Sequence, residues 1–190
     1  MTAVIVPWRP DGAERDRNWS WLRKHWEQTG WDVVEGHCPD GPWVKGLAVA
    51  DALARTTADT LVIADADVWC AGIHAAARTV TQGAPWAIPH GQVHRLTEDA
   101  TQALIAGDTQ WNEHAPTTQK PYTGVPGGGL VIITRDLYEQ APFDPRFQGW
   151  GQEDEAAGHA WTVLTGPPQR GTAPLYHLWH TPQPRMGRVI

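Results

Sequence analysis

The chain has 190 residues, with 15 Lys and Arg against 21 Asp and Glu and a formal net charge of −6. The length suits one packed domain, residues 1–190, and leaves little room for a second. The charge gives no general electrostatic reason to hold nucleic acid. The 12 tryptophans are an unusual number, and the 19 glycines and 16 prolines promise many turns. Cys38 and Cys70 are too few for a disulfide framework. No run approaches the roughly 20 apolar residues of a membrane span. The first residues enter a strand-like run with no signal pattern, so the expected location is cytoplasmic, with reduced thiols.

In chain order, Ala3-Val4-Ile5-Val6 reads as a buried strand stopped by Pro7. Asn18 is placed to cap a helix over residues 19–29, with Trp19, Leu22 and Trp26 on one face. Residues 31–34 read as a second strand. Residues 44–56 read as a second helix, burying Leu47, Ala50 and Leu53. Thr60-Leu61-Val62-Ile63-Ala64 is a continuous apolar strand. This alternation predicts an α/β domain with a mainly parallel central sheet flanked by helices. Further on, residues 71–81 and 96–106 are expected to be helical and 85–89 a strand. Residues 108–125 are ambiguous. Residues 130–133 read as a strand, 135–140 as a short helix, 143–152 as a loop, 153–163 as a helix and 175–178 as a last strand.

Two acidic clusters carry the chemistry. Asp65 and Asp67 follow the central apolar strand, at the edge where open α/β sheets bind ligands. Two carboxylates so close repel unless a cation lies near them. A divalent ion with oxygen ligands, Mn2+ or Mg2+, meets that need. Glu153 and Asp154 open a helix, where carboxylates are favoured, and one of them could take a proton from a hydroxyl. They follow Gly127-Gly128-Gly129 and a Gly149-Trp150-Gly151 stretch. Glycines allow close backbone approach, and Trp150 offers a flat face to a sugar. Near the end, Tyr176-His177-Leu178-Trp179-His180 supplies two imidazoles. On an extended strand they point to different sides.

The ordered set resembles a known family. Pro126-Gly127-Gly128-Gly129-Leu130, Phe143-Asp144-Pro145-Arg146-Phe147 and Gly149-Trp150-Gly151-Gln152-Glu153-Asp154 are similar to the C-terminal signature of the β-1,4-galactosyltransferase and chondroitin-polymerase-like glycosyltransferases. Pro145 replaces an acidic residue usual in that signature. Val4-Ile5-Val6-Pro7-Trp8-Arg9 resembles the family's first strand and nucleotide-contacting turn, and Lys45-Gly46-Leu47-Ala48 its following helix, without the usual Asn. The resemblance runs over residues about 3–180. It implies a minimal GT-A fold and transfer of a sugar, with inversion, from a nucleotide diphosphate sugar (UDP by default). The acceptor would be a hydroxyl of a glycan, protein or small molecule.

By that resemblance Asp67 and a C-terminal His bind the metal; of His177 and His180 one is expected to do so, with His177 favoured. Asp65 holds the ribose or the metal's water shell. Asp154 is the base, and Glu153 contacts the acceptor. Trp150, Gly128 and Gly129 line the sugar pocket, while Pro7, Arg9 and Lys45 meet the nucleotide. The resemblance allows a homo-oligomer. A retaining transferase of the same fold is the nearest alternative. The Asp65-Ala66-Asp67-Val68 stretch is also similar to the motif of haloacid-dehalogenase-like phosphatases, and a non-catalytic nucleotide-sugar module is a third possibility.

Overall fold

The computed structural model describes residues 1–114, 117–118, 124–125, 127–149 and 151–181. The elements in chain order are β1 (Thr2–Trp8), α1 (Glu14–Glu27), β2 (Asp32–His37), α2 (Lys45–Leu53), β3 (Thr60–Ala64), β4 (Val68–Cys70), α3 (Ile73–Thr81), β5 (Trp86–Arg95), α4 (Glu98–Ile105), a 3-10 turn (Trp111–His114), β6 (Thr117–Thr118), β7 (Leu130–Thr134), α5 (Arg135–Gln140), α6 (Glu153–Thr165) and β8 (Gln169–His177). Among the described residues no helix is long and apolar enough to cross a membrane.

The sheet order is β2-β1-β3-β7-β5-β8-β4, with β6 on β5. The parallel reading holds for β2-β1-β3 and for β5 beside β8. β7 runs antiparallel between β3 and β5, and β4 and β6 are also antiparallel to their neighbours. The sheet is therefore mixed. The insertion of β7 has a geometric consequence, because Ala64 pairs with Leu130. The glycine turn that leads into β7 thus arrives at the edge where β3 leaves for Asp65. β8 runs in the same direction as β3, so His177 ends at that edge too.

Every residue of β3 is buried, and its side chains alternate between two cores. Val62 and Ala64 join Val4, Val6, Leu130 and Ile132 beneath α1, α3 and α4, which contribute Trp19, Leu22, Trp26, Ile73, Val80 and Ala100. Leu61 and Ile63 join Ala3, Ile5, Val131 and Ile133 on the opposite face, under Val49 of α2, Leu137 of α5 and Trp161 of α6. Burial on both faces explains why these strands are continuous apolar runs.

Three local expectations change. β1 continues through Pro7 to Trp8, because beyond Ile5 it pairs with β2 alone. α1 starts at Glu14, one turn before the expected cap. Asn18 lies inside the helix, fully buried, and its Nδ2 donates to the Trp179 carbonyl at 2.8 Å. α2 buries Lys45, Ala48, Val49 and Ala52, leaving Leu47 42% exposed. Here α2 lies so close to β2 that a Cβ on Gly36 would fall 1.9 Å from the Ala48 carbonyl oxygen. Alanines at 48 and 52 fit that approach, and so the helix turns its small residues inward.

Candidate active site

Four segments converge at the edge formed by the ends of β1, β3 and β8. A cavity of about 170 Å³ opens there, lined by Pro7, Trp8, Arg9, Pro10, Asp11, Arg15, Trp43, Asp65, Ala66 and Asp67. Asp65 is held by its own backbone, its N–H donating to the Gly129 carbonyl at 2.7 Å. Gly128 and Gly129 have φ of 57° and 90°, the left-handed region that favours glycine. A Cβ on Gly129 would lie 2.7 Å from Asp65 Oδ2, so this glycine lets the turn close onto the carboxylate.

Lys45 is the hub between the two acidic clusters. Only 5% of its side chain is exposed, and its Nζ lies 2.8 Å from Asp65 Oδ1 and 2.9 Å from Asp154 Oδ1. It also sits 5.2 Å from the centre of the Phe143 ring. Burial works against its charge, but Asp154, Asp65 and Glu153 together hold its pKa well above the usual lysine value. Burial also raises Asp65, with Lys45 opposing and Asp154 and Asp67 adding to the rise. Glu153 is raised by burial and by Asp154, against Lys45. Glu153 Oε2 is buried and has no hydrogen-bond partner among the described residues, which suits a protonated carboxyl at that position. Lys45, the side chain expected to meet the nucleotide, is placed by the structure among these carboxylates. Its ammonium ties Asp65 to Asp154, and it is not among the residues lining the cavity.

Removing one partner of a buried ion pair strands the remaining charges. Lys45→Met leaves two carboxylates facing each other and is expected to cost about 3 kcal/mol of folding stability. Urea unfolding measures it, and a loss below about 1 kcal/mol, the range of an exposed pair, would show that the pairing contributes little.

On the other side of Asp65, Asp67 meets both histidines. His180 Nε2 lies 3.2 Å from Asp67 Oδ2, and His177 Nε2 lies 3.8 Å from Oδ1. One ligand atom from each of the three residues falls within 4.8 Å of the others. The expectation that the imidazoles diverge does not hold. β8 ends at His177, so strand alternation no longer governs His180. The chain is held there by the Leu178 N–H donating to the Asp67 carbonyl at 2.8 Å and the Trp179 N–H donating to Thr101 Oγ1 at 2.9 Å.

His177 Nδ1 lies 3.0 Å from the Leu178 carbonyl, and His180 Nδ1 lies 2.9 Å from the Thr181 carbonyl. A carbonyl only accepts, so each Nδ1 carries the hydrogen and each neutral ring turns the lone pair of Nε2 toward Asp67. Asp67 Oδ1, meanwhile, is buried with no hydrogen-bond partner among the described residues. Two lone pairs aimed at a carboxylate call for a cation or a proton between them. Burial favours the neutral form of His177, whereas Asp67 raises His180 against its own burial. Burial would raise Asp67, but the two histidines hold it well below the usual carboxylate range.

Arg9, expected at the nucleotide, lines the cavity and is fixed by backbone. Its Nη1 and Nη2 donate at 2.8 Å to the Gly41 and Pro39 carbonyls, and its guanidinium stands 5.5 Å from the Trp43 ring. It thereby clamps the loop that carries Trp43 against the end of β1. Pro7, expected at the nucleotide, is among the residues lining the cavity. Trp150 lies outside the described residues. Sequence reasoning missed Arg15 and Trp43 as cavity residues. The only signals were an arginine in the first helical turn and a tryptophan two residues before Lys45.

No protein-family model matches the chain, and no curated protein matches it by sequence. Solved structures do match in shape. The catalytic domain of Drosophila beta1,4-galactosyltransferase 7, in complex with xylobiose, superposes with a TM-score of 0.52 at 14% identity, covering 90% of this chain and 66% of that one. GalNAc-T7 with UDP, GalNAc and Mn2+ gives 0.56 at 10% identity, covering 94% and 44%. The fold is GT-A. A glucosyl-3-phosphoglycerate synthase from Mycobacterium tuberculosis with Mn2+ and UDP-glucose gives 0.51 at 16% identity, covering 96% and 72%. This chain thus spans about two thirds of the first GT-A structure and less than half of the second. In this chain the acidic pair follows the third strand.

Proposed function

We propose that residues 1–190 form one donor-binding domain of a metal-dependent glycosyltransferase, which moves a sugar from a nucleoside diphosphate sugar, UDP-linked by default, to an acceptor hydroxyl with inversion. The observation that carries this reading is the convergence of Asp67, His177 and His180 beside a cavity that also reaches Asp65, Trp8 and Trp43. The GT-A fold supports it, as do the Mn2+ and UDP-sugar ligands of the similar structures.

The donor set fits a divalent ion. Asp67 Oδ1 is a buried acceptor without a hydrogen-bond partner among the described residues, and two imidazole nitrogens beside a carboxylate suit Mn2+ better than Mg2+. Asp67, His177 and His180 would hold the ion. When bound it would neutralise charge developing on the leaving diphosphate. The rest of the chemistry belongs to the chain. Asp65 meets the ribose or the water shell of the ion, with Gly128 and Gly129 as the close backbone wall of the sugar pocket. Lys45 fixes Asp154 through Oδ1, leaving Oδ2 for the acceptor. As the acceptor oxygen attacks the anomeric carbon, Asp154 takes its proton. The bond from that carbon to the diphosphate breaks, and the electron pair leaves with the diphosphate. Glu153 contacts the acceptor as a hydrogen-bond donor.

The test is a panel of nucleotide sugars with Mn2+, read as release of nucleoside diphosphate. Release with a sugar product supports the reading. Nucleotide binding without turnover on any acceptor class favours a non-catalytic module. The anomeric proton of the product, read by NMR, distinguishes inversion from retention.

A further inference from the structure

The glycine turn beside Asp65 is held by a histidine that the proposed chemistry does not use. His90 lies on β5 and is fully buried. Its register against β8 shifts on both sides, between Ile88 and His90 and again between His90 and Gln92. Such irregularities re-aim a side chain. The two strands are also pressed together here, since a Cβ on Gly171 would fall 2.2 Å from the Pro89 carbonyl oxygen. The His90 ring meets the glycine turn, with Nε2 2.7 Å from the Gly127 carbonyl. A carbonyl only accepts, so Nε2 carries the hydrogen. Burial lowers the pKa of the ring and Arg170 adds to that, against the Gly127 bond, so the neutral form with its hydrogen on Nε2 is favoured.

Gly127 opens the turn that ends at Leu130, whose N–H donates to the same carbonyl at 3.1 Å. Between them Gly128 and Gly129 take left-handed φ. The Gly129 carbonyl in turn accepts the Asp65 N–H at 2.7 Å. One path of hydrogen bonds thus runs from the His90 ring, through the turn, to the backbone of Asp65. Arg170 on β8 braces the same segment, its Nη2 donating to the Gly124 carbonyl at 2.8 Å and its Nη1 to the His90 carbonyl at 3.1 Å. Glycines free to take this turn are equally free to leave it, so a glycine wall needs an outside anchor to keep one shape. We propose that His90 is a positioning residue for sugar transfer: by fixing Gly127 it holds Gly128, Gly129 and the Asp65 backbone in the arrangement that receives the sugar of the donor. His90 is not among the residues lining the cavity; it acts through the turn.

This inference rests on the proposed donor reading, and two measurements keep the two apart. His90→Leu is similar in bulk and lacks the hydrogen-bond donor, whereas the longer amide of His90→Gln reaches the same carbonyl. Amide hydrogen exchange reads the turn without any ligand. In His90→Leu the Asp65 and Leu130 amides are expected to exchange about tenfold faster or more, the scale of one lost buried hydrogen bond, while the paired Val62 and Ile132 stay protected. His90→Gln should remain close to wild type. Calorimetry with Mn2+ then compares UDP with UDP-glucose and UDP-galactose. His90→Leu is expected to weaken the nucleotide sugar by about tenfold and UDP little, and His90→Gln to recover most of the loss, a pattern that a general loss of stability would not give. Equal losses for UDP and the nucleotide sugar, faster exchange with the donor bound as in wild type, or unchanged exchange in His90→Leu each overturn the positioning role while the donor reading stands. If wild type binds none of the three nucleotides, the donor reading falls and this role with it. Should His90→Leu fail to fold, His90→Asn, polar but too short to reach Gly127, takes its place with the same expected losses and the same outcomes against the proposal.

Discussion

Asp154→Asn is expected to slow sugar transfer by about 10³-fold, within the range that a positioned general base contributes, while leaving nucleotide affinity nearly unchanged. The asparagine can still meet Lys45 through its amide oxygen, so the geometry survives while the proton acceptor is lost. Lys45 then loses one of its two anionic partners and keeps Asp65, which limits the cost to folding. The decisive measurement is single-turnover transfer alongside UDP affinity. A folded variant that keeps more than about a tenth of the wild-type rate would remove Asp154 as the base. A matching loss in UDP affinity would place it instead on the donor side.

Removing the divalent ion with a chelator is expected to abolish transfer, and Mn2+ to restore it. Asp67→Asn and His177→Ala should each weaken Mn2+ binding by about 100-fold or more, since each removes one of three ligands that the chain offers. The two histidines predict the response to pH. A ligating imidazole must be neutral, so protons compete with the metal. Burial keeps His177 neutral to lower pH than usual, while Asp67 holds the proton on His180 to higher pH than usual. Metal affinity should therefore fall as pH drops through the His180 range, above 6.5 and downward, with His180 the first group to take a proton. In His180→Ala the acid loss of Mn2+ affinity moves to lower pH, toward His177. Isothermal titration with Mn2+ at several pH values reads both effects, and full activity in chelator would sink the metal assignment.

Much of this was legible in the sequence because the relevant signals are local. The unbroken apolar run of β3 and the carboxylates beyond it lie in eight residues, and the glycines entering β7 adjoin its apolar run. The meeting of His177 with Asp67 was harder to read. It depends on β4, a strand of three residues with no periodicity of its own, whose Val68 pairs with His177 across the sheet. No local pattern announces a pairing between segments that far apart in the chain. Lys45 was visible as a basic residue at a helix start. Its role depends on Asp65 and Asp154, which only the fold brings to the same nitrogen. The inward face of α2 was misread because small residues can mark close approach as well as weak hydrophobicity, and the partner, Gly36, lies on another element.

Asp67 and the two histidines are also far apart along the chain, with more than half of all residues lying between them. An ion gripping all three would act as a clasp around that span, removing from the unfolded ensemble the freedom of a very long loop. It would fasten β3, α1 and α4 together through the last described residues, since Asn18 and Thr101 hold Trp179 from two helices. Binding energy would then appear as heat resistance, growing with the logarithm of free Mn2+ above its dissociation constant. A midpoint of thermal unfolding that climbs with Mn2+, and does so in Asp154→Asn but not in Asp67→Asn, would report the clasp without any turnover at all.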